Sequence, residues 1–378
     1  MNTVPLGLYL HWPYCHRICP YCDFNVYKVR GDDAGLVEAI LADMARWRER
    51  TGDRALASLH FGGGTPSLLP AGEMARLIEA ADRLWGFEAE AEIALEANPE
   101  DQPRFADFAA AGVERLSLGV QALEDEALSR LGRNHDARAG LLSVAAALAV
   151  FPRVSLDLIY GRAGQTPEAW ARELDQALAL GAGHVSPYQL TIEDGTAFQR
   201  RVARGEALVE PPDEVAELYE TTQAVCAEAG FAGYEISNHA RSPAEESRHN
   251  RIYWEGGDWI GVGPGAHGRL GSHAAGGRLA TEASRRPEAY CAAPESENEA
   301  LSARDEAVER ILMGVRLAKG LDRARLRAST GLDVAEQALS ELAAGGFVQD
   351  EGERVRLTSR GRLFADHVGV RLAEALGD

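Results

Sequence analysis

Three cysteines lie in one short stretch near the amino terminus: Cys15, Cys19 and Cys22, spaced C-x3-C-x2-C. A tetrahedral structural zinc site uses four ligands, and a 4Fe-4S cluster is ordinarily held by a cysteine on each of its four irons. Three thiolates on one loop would therefore hold three corners of such a cluster. They would leave the fourth iron open to a ligand that is not protein.

A small chelating molecule suits that open iron, and S-adenosylmethionine (SAM) offers the amino and carboxylate groups for it. An electron from the cluster would then cleave the sulfonium and release a 5′-deoxyadenosyl radical. The alternative is a zinc site completed by His11 or His16. Neither histidine has a zinc-type spacing to the cysteines, so the cluster is favoured.

Bulk composition narrows the class of protein. The chain has 378 residues, 46% of them hydrophobic, and a formal net charge of -19. This charge disfavours nucleic acid as a partner. No segment has the length of a transmembrane span and no secretory signal is visible, so we expect a cytoplasmic protein. Its five cysteines would then be metal ligands or thiols rather than disulfides.

The first two thirds of the chain alternates β-rich runs with helical patterns. This rhythm predicts parallel strands joined by helical crossovers, as in an α/β protein with a partial (βα)6 TIM-like barrel. In barrels the chemistry gathers at the carboxyl ends of the strands, and the cysteine loop follows the first strand directly. The predicted strands are Gly7–His11, Ser58–Phe61, Ile93–Ala97, Arg115–Gly119, Val154–Ile159 and His184–Leu190.

Three regions are predicted. Residues 1–236 form the partial barrel, and residues 237–300 form an irregular extension with short strands. Residues 301–378 form a C-terminal helical domain whose helices precede a small hairpin, which resembles a winged helix. Winged helices commonly bind DNA, but in this acidic chain a lid or docking role is favoured.

The residues around the cysteines resemble a known family. C-x3-C-x2-C with an aromatic residue, Tyr21, before the last cysteine is similar to the radical SAM superfamily. The preceding segment Leu8-Tyr9-Leu10-His11-Trp12-Pro13-Tyr14 resembles the branch that holds oxygen-independent coproporphyrinogen III oxidase and the heme chaperone HemW. The resemblance extends over nearly the whole chain. It implies a partial barrel, a 4Fe-4S cluster and bound SAM.

A glycine run, Phe61-Gly62-Gly63-Gly64-Thr65-Pro66, follows the second predicted strand. Glycines let backbone approach a ligand closely, although such a run also suits a plain strand-to-helix turn. By resemblance, Gly63, Gly64 and Thr65 belong to the segment that hydrogen-bonds the methionine amino group of SAM.

Polar residues recur at the ends of the later strands: Glu96, Gln121, Arg133 and Asp157. Each alone could be a helix cap or a surface charge, but their recurrence favours a polar ligand. In the oxidase, the positions that match Tyr9, Gly63 and Glu96 line one SAM. Those that match Tyr21, Gly64, Thr65, Gln121, Arg133 and Asp157 line a second one.

Phe24 departs from the oxidase pattern. The oxidase carries a further cysteine two residues beyond the third, and here phenylalanine stands in that place. Since phenylalanine supplies no thiol, decarboxylation of coproporphyrinogen propionates is disfavoured. Cys22-Asp23-Phe24 resembles the HemW pattern instead.

The segment Arg248-His249-Asn250-Arg251-Ile252-Tyr253-Trp254 resembles the H-N-x-x-Y-W motif that is associated with heme binding in HemW-type proteins. A neutral imidazole can ligate heme iron, and aromatic rings can cover the macrocycle. The predicted heme contacts are His249, Asn250, Tyr253 and Trp254, with His267 as either a second ligand or a contact to the adenosine of SAM. The alternative is a folded aromatic turn around a hydrogen-bonded histidine.

The main hypothesis is therefore a heme chaperone that carries a 4Fe-4S cluster and SAM, binds heme and passes it to acceptor proteins. An electron donor is implied, and no residue is assigned a catalytic role. The rival hypothesis is oxygen-independent coproporphyrinogen III oxidase. A radical enzyme acting on RNA is a third possibility, and the net charge disfavours it.

Overall fold

The computed structural model describes residues 4–29 and 34–377. Along its strands, apolar and more polar residues alternate. In Leu6–Trp12, every second side chain, from Leu6 to Trp12, is apolar and buried in the main core. Between them stand Gly7, Tyr9 and His11. Successive strand residues point to opposite faces, so one face packs under helices and the other, more polar, face lines the inside.

In chain order the strands up to residue 301 are β1 (Leu6–Trp12), β2 (Tyr14–Cys15), β3 (Tyr27–Lys28), β4 (Leu56–Gly63), β5 (Phe87–Ala97), β6 (Arg115–Gln121), β7 (Arg153–Tyr160), β8 (His184–Gln189), β9 (Ala232–Gly233), β10 (His239–Ala240), β11 (Asp258–Val262), β12 (His267–Ser272), β13 (Gly277–Ala283) and β14 (Ser296–Leu301). The main sheet contains 12 of them, in the order β14-β13-β12-β11-β1-β4-β5-β6-β7-β8-β10-β9. A separate pair joins β2 to β3 in parallel.

The six predicted strands are confirmed as β1 and β4 to β8, and neighbours among them pair in parallel. Their carboxyl ends therefore meet at one edge, which places the cysteine loop beside the ends of β4 to β8. Within the described residues the sheet ends at β14 and β9 and does not close on itself. The predicted α/β partial barrel is thereby confirmed.

Helices cover the apolar face of the sheet, and α6 packs against α8 as α1 packs against α2. The helices up to residue 292 are α1 (Ala34–Thr51), α2 (Ala71–Trp85), α3 (Phe105–Ala110), α4 (Asp125–Arg130), α5 (Ala137–Val150), α6 (Pro167–Leu178), α7 (Ala197–Val202), α8 (Pro212–Glu228), α9 (Arg248–Trp254) and α10 (Pro287–Ala292). None of the helices in the described ranges is long and apolar enough to cross a membrane.

The segment predicted as an irregular extension adds strands to the same sheet. β11 pairs in parallel with β1, with Leu6 opposite Asp258, and β12 to β14 continue the sheet antiparallel. The predicted short strands are therefore present, and β11 gives β1 its second neighbour. The proposed boundaries at residues 236 and 300 stay a prediction.

The C-terminal part has its own hydrophobic core, which includes Ile311, Leu339 and Leu372. Its predicted helices and hairpin are confirmed, with the sheet order β15-β18-β17. The elements are α11 (Ala303–Gly314), β15 (Leu321–Asp322), α12 (Arg323–Thr330), β16 (Asp333–Val334), α13 (Glu336–Ala344), β17 (Val348–Asp350), β18 (Arg354–Leu357), α14 (Ser359–Leu363), α15 (Ala365–Glu374) and β19 (Leu376–Gly377).

Candidate functional site: a cysteine-lined cavity at the carboxyl ends of the strands

A cavity of about 460 Å³ opens at the carboxyl edge of the parallel strands. It brings together most of the residues that the sequence singled out. Those that line it are Cys15, Cys19, Cys22, Tyr21, Gly63, Gly64, Thr65, Glu96, Gln121, Arg133 and Asp157. Tyr9 lies one layer deeper, with its hydroxyl 2.9 Å from Nδ1 of His11.

The cysteine loop is a compact structure in its own right. Its two ends are joined by backbone hydrogen bonds from Tyr27 to Pro13 and from Val29 to Cys15, and the Cys22 N–H donates to the carbonyl of Cys19 across 3.1 Å. Cys15 is buried, whereas the other two cysteines are half-buried. All three sulfur atoms therefore belong to one short loop at the cavity wall.

Asn25 ties this loop to the rest of the protein. Its side-chain amide donates to the carbonyls of Pro264 and Arg285, each across 2.9 Å. Its own carbonyl lies 2.9 Å from Nε2 of His11. Because Nδ1 of His11 bonds Tyr9, both ring nitrogens of His11 are engaged, and His11 is not placed to complete a zinc site while these bonds hold.

Burial disfavours the thiolate form of Cys15 and Cys22. Burial raises the pKa of Cys22 to about 12. Burial also raises the pKa of Cys15, against the opposing effect of a hydrogen bond with Thr65. Iron binding would therefore release protons from these groups. No group of three His, Cys, Asp or Glu side chains among the described residues converges as a single metal ion requires, whereas three cysteines on one loop fit the larger 4Fe-4S cluster.

The glycine run brings the end of β4 against this loop. A Cβ at Gly64 would lie 3.0 Å from Sγ of Cys15 and 2.9 Å from the carbonyl oxygen of Tyr14. Gly63 has a φ of +109°, and a Cβ there would lie 2.6 Å from the ring of His11. Only glycine therefore fits at Gly63 without strain. The predicted contact of these residues with SAM stays a prediction.

Gln121 has a strained backbone conformation and a side-chain oxygen that accepts no hydrogen bond from the described residues. It is the non-glycine residue with positive φ (67°) in the described part of the chain. Its buried Oε1 has no hydrogen-bond partner there. Backbone strain and a buried polar atom without a partner are both typical of ligand-binding positions, so Gln121 fits a polar ligand in the cavity.

Arg133 links the cysteine loop to the strand ends. Its Nη1 donates to Sγ of Cys19 across 3.4 Å, and its Nη2 donates to Asn98 and to the carbonyl of Gly119. Its buried Nε has no partner among the described residues. One guanidinium thus contacts the thiol of Cys19 and still offers a donor group.

Two carboxyl groups contribute to the cavity wall. Burial and the nearby charge of Glu96 raise the pKa of Asp157 to about 6, and Ser117 donates to both of its oxygens. Glu96 accepts a bond from the Gly63 N–H across 3.3 Å. Carboxylate oxygens, a free amide oxygen and a guanidinium are groups that fit the amino, hydroxyl and carboxylate groups of SAM.

The predicted heme motif forms α9, and its histidine lies inside the protein. His249 is 1% exposed, with Nδ1 2.7 Å from Oγ of Ser58 and Nε2 2.8 Å from the Tyr253 hydroxyl. Burial, followed by the charge of His60, lowers the pKa of His249, so its imidazole is neutral. Each ring nitrogen of His249 could ligate iron, but in this arrangement both are engaged in hydrogen bonds.

The other motif residues point in different directions. Asn250 lines the cavity, while Tyr253 packs edge-on against Trp259. Trp254 faces the C-terminal domain, where the guanidinium of Arg316 lies 4.9 Å from its ring centroid. His267 is exposed and 3.8 Å from Glu282. The structure therefore does not gather these five residues into one site, and their contact with heme stays a prediction.

Sequence reasoning missed the residues that support the site from behind, such as Asn25, His60, Glu92 and Ser117. For His60, Glu92 and Ser117 the signal was the alternation along β4, β5 and β6. Its inward positions are polar in Ser58 and His60, in Glu92 and Glu96, and in Ser117. Polar residues at every second position of otherwise apolar strands indicate a ligand chamber inside a barrel.

Comparison with known proteins identifies the family. Residues 9–177 match the radical SAM superfamily and residues 301–364 match the HemN C-terminal domain. The heme chaperone HemW of Mycobacterium tuberculosis is 39% identical over 377 residues, which cover 97% of this chain and 95% of that protein. HemW of Escherichia coli is 35% identical over 95% of this chain and 96% of that protein.

Two further proteins are similar to the chain. The mitochondrial radical S-adenosyl methionine domain-containing protein 1 of Bos taurus is 44% identical over 72% of this chain, and the match spans 62% of that relative's length. The structure of coproporphyrinogen III oxidase (HemN) of E. coli matches with a TM-score of 0.81 at 23% identity, over 98% of this chain and 90% of that one. This likeness shows the fold alone. On the near-full-length similarity, the chain belongs to the HemW family of radical SAM proteins.

Proposed function

We propose that this protein is a heme chaperone that carries a 4Fe-4S cluster and SAM and delivers heme to acceptor proteins. The observation that carries the proposal is the identity of 39% over 97% of the chain to a protein named heme chaperone HemW. The electron donor, the acceptor proteins and the cytoplasmic location stay predictions.

The cluster would be held by Cys15, Cys19 and Cys22, and together with SAM it would supply radical chemistry when bound. Glu96 would accept hydrogen bonds from the methionine amino group beside Gly63. Gln121 would accept a bond through its free Oε1, and Arg133 would hold a carboxylate or neutralise thiolate charge. Tyr9, Tyr21, Gly64, Thr65 and Asp157 complete the predicted SAM contacts.

The shape and polarity of the cavity support separate binding places for SAM and heme. A volume of about 460 Å³ suits one ligand of drug-like size. Its walls carry the carboxyl groups of Glu96 and Asp157 and the serines between them, which suit a polar ligand. The apolar face of a heme macrocycle would therefore bind outside this cavity. Heme ligation by His249 would also require one of its two hydrogen bonds, to Ser58 or to Tyr253, to break.

Phe24 favours the heme chaperone over coproporphyrinogen III oxidase. Its side chain is 60% exposed at the cavity wall, two residues after Cys22. The oxidase has a cysteine at this position, and phenylalanine cannot donate a thiol hydrogen. The gathering of Gln121, Arg133 and Asp157 in one cavity is the observation that favours coproporphyrinogen III oxidase activity as the second candidate.

The two functions are separated by anaerobic reconstitution with iron and sulfide, followed by parallel assays. We expect the protein to bind heme, seen as a Soret band, and to pass it to an apo-globin used as a probe. With SAM, a reductant and coproporphyrinogen III, we expect no protoporphyrinogen IX and no carbon dioxide. Formation of these products would overturn the chaperone proposal in favour of the oxidase.

The cofactor is tested separately through iron content. Cys19→Ala is expected to lose the cluster, because two thiolates remain for four irons. Cys291→Ala is the matched control, since Cys291 lies in α10 and does not line the cavity. Stoichiometric zinc in the native protein, or full iron content in Cys19→Ala, would contradict the cluster assignment.

A further inference from the structure

The amino end of α9 is fixed by a buried carboxylate. Glu92 accepts hydrogen bonds from the backbone N–H groups of Arg248 and His249, each across 3.1 Å, and from Oγ of Ser247 across 3.3 Å. The guanidinium of Arg153 lies 2.8 Å from the same carboxylate. Burial would raise the pKa of Glu92, but Arg115, Arg153 and the two N–H groups lower it, so Glu92 is a charged anchor for this helix.

The anchored helix presents the imidazole of His249 to a second imidazole. The rings of His249 and His60 are stacked, with centroids 4.8 Å apart and planes 11° apart. His249 cannot turn without losing its bonds to Ser58 and Tyr253. It therefore forms a fixed flat surface beneath His60.

His60 in turn holds Glu96. Its Nε2 lies 3.0 Å from Oε1 of Glu96, while the other carboxylate oxygen accepts the bond from Gly63. The buried Nδ1 of His60 has no partner among the described residues. One hydrogen bond leaves the ring free to rotate about it, so the orientation of His60 depends on its stacking neighbours, His249 and Tyr9.

The space around this contact is closed. A Cβ at Gly62 would lie 2.9 Å from Oε1 of Glu96, 2.8 Å from the Tyr9 ring and 3.1 Å from the ring of His60. A Cβ at Gly7 would lie 3.4 Å from Nδ1 of His249. Glycines in β1 and β4 thus leave room for three rings and one carboxylate in direct contact.

We propose that His249 is a positioning residue of the SAM site, which acts through His60 to hold the carboxylate of Glu96 where it receives the amino group of SAM. The inference rests on the proposed binding of SAM in the cavity. It gives the histidine of the H-N-x-x-Y-W segment a role inside the barrel, apart from any contact with heme.

The test compares His249→Ala, His249→Phe and His60→Ala in the reconstituted full-length protein. The readouts are SAM affinity by anaerobic equilibrium dialysis, the change that SAM causes in the EPR spectrum of the reduced cluster, and iron content. We expect His249→Ala to bind SAM roughly tenfold more weakly, because His60 then no longer holds Glu96 in place and the charged hydrogen bond between Glu96 and the amino group of SAM is weakened. Iron content should be unchanged, and His249→Phe, which keeps a flat ring, should recover part of the affinity.

Two controls separate positioning from a general loss of packing. Ile252→Val trims another buried residue of α9 and should leave SAM affinity unchanged. The double variant His60→Ala with His249→Ala should be no weaker than His60→Ala alone, because the proposed effect of His249 passes through His60. Additive losses would contradict this path.

The outcomes distinguish a failure of the positioning role of His249 from a failure of the proposed SAM binding. Wild-type SAM affinity in both His249→Ala and His249→Phe would overturn the inference alone, most clearly if heme binding is lost in the same variants. If His249→Ala does not fold, Tyr253→Phe removes one of the two bonds to the ring and is expected to weaken SAM binding in the same direction. A wild-type protein that binds no SAM would overturn the proposed cofactor and the inference together.

Discussion

The guanidinium of Arg133 donates a hydrogen bond from Nη1 to the sulfur of Cys19 across 3.4 Å. A cation that bonds a cluster thiolate stabilises the more negative, reduced state of the cluster. Hydrogen bonds to the sulfurs are one of the factors that set the reduction potential of iron–sulfur proteins. Arg133 is therefore expected to make the cluster easier to reduce.

Arg133→Gln is accordingly expected to lower the reduction potential by about 30–60 mV, where ~59 mV corresponds to a tenfold change for one electron. An EPR-monitored redox titration without SAM measures this shift. Arg130→Gln removes the same charge from the exposed surface of α4 and should leave the potential unchanged. Equal shifts in both variants would indicate an effect of net charge rather than of the bond to Cys19.

Gly64→Ala is expected to prevent cluster assembly. The added Cβ would meet Sγ of Cys15 at 3.0 Å and the backbone oxygen of Tyr14 at 2.9 Å, so the cysteine loop must shift. Overpacking of this kind costs about 1–3 kcal/mol of unfolding free energy. Iron content and a denaturation curve measure the two effects. Gly72→Ala, where nothing lies within 4 Å, is the control and should keep full iron content.

Asp157→Asn tests the strain of a buried charge. The pKa of Asp157 is raised to about 6, first by burial, so its protonated form stabilises the fold and that contribution is lost as the pH rises from ~4 to ~6. Asn mimics the protonated form. At pH ~7 the variant is expected to be more stable than wild type by up to about 3 kcal/mol, with the difference vanishing near pH ~4.

Urea denaturation of the cluster-free protein at the two pH values measures this difference. Asp82→Asn, on the exposed surface of α2, should change stability little at either pH. A constant difference between Asp157→Asn and wild type across this range would contradict the raised pKa of Asp157.

Glu92→Gln is expected to destabilise the fold by about 3 kcal/mol, because it removes the buried counter-charge of Arg115 and leaves Arg153 only the more distant carboxylate of Glu114. The matched control is Glu90→Gln, two residues earlier on the same strand. Glu90 is exposed and pairs with Arg248 at the surface, so its loss should change stability little. Similar losses in both variants would show that Glu92 is not a special anchor.

The strands and the cysteine loop were predictable because their signals are local. Alternating residue types and glycine turns gave β1 and β4 to β8 correctly, and chain order placed Cys15, Cys19 and Cys22 at a carboxyl end. The position of α9 was not predictable in this way. It depends on contacts such as those of Glu92 with Ser247 and of Ser58 with His249, which join residues far apart in the sequence.

For the same reason the surroundings of the H-N-x-x-Y-W segment could not be read from the sequence. By its residue types, the segment suits either heme contact or a folded aromatic turn around a hydrogen-bonded histidine. In the fold, His249 is buried and bonds Ser58 and Tyr253, Tyr253 packs on Trp259, and Trp254 faces Arg316. Which side of a seven-residue helix faces the barrel is decided by tertiary packing.

The pairing of β1 with β11 has a consequence for biosynthesis. One edge of β1 pairs with β4. The other edge pairs with β11, so it stays unpaired until Asp258–Val262 has left the ribosome. At roughly 5–20 residues per second, that edge stays open for on the order of 10–50 seconds. An open strand edge is prone to wrong pairing, and the cysteine loop is attached to this strand. We therefore expect iron to enter only after translation has passed residue 262. Cluster assembly would then be a late step in the biosynthesis of the protein.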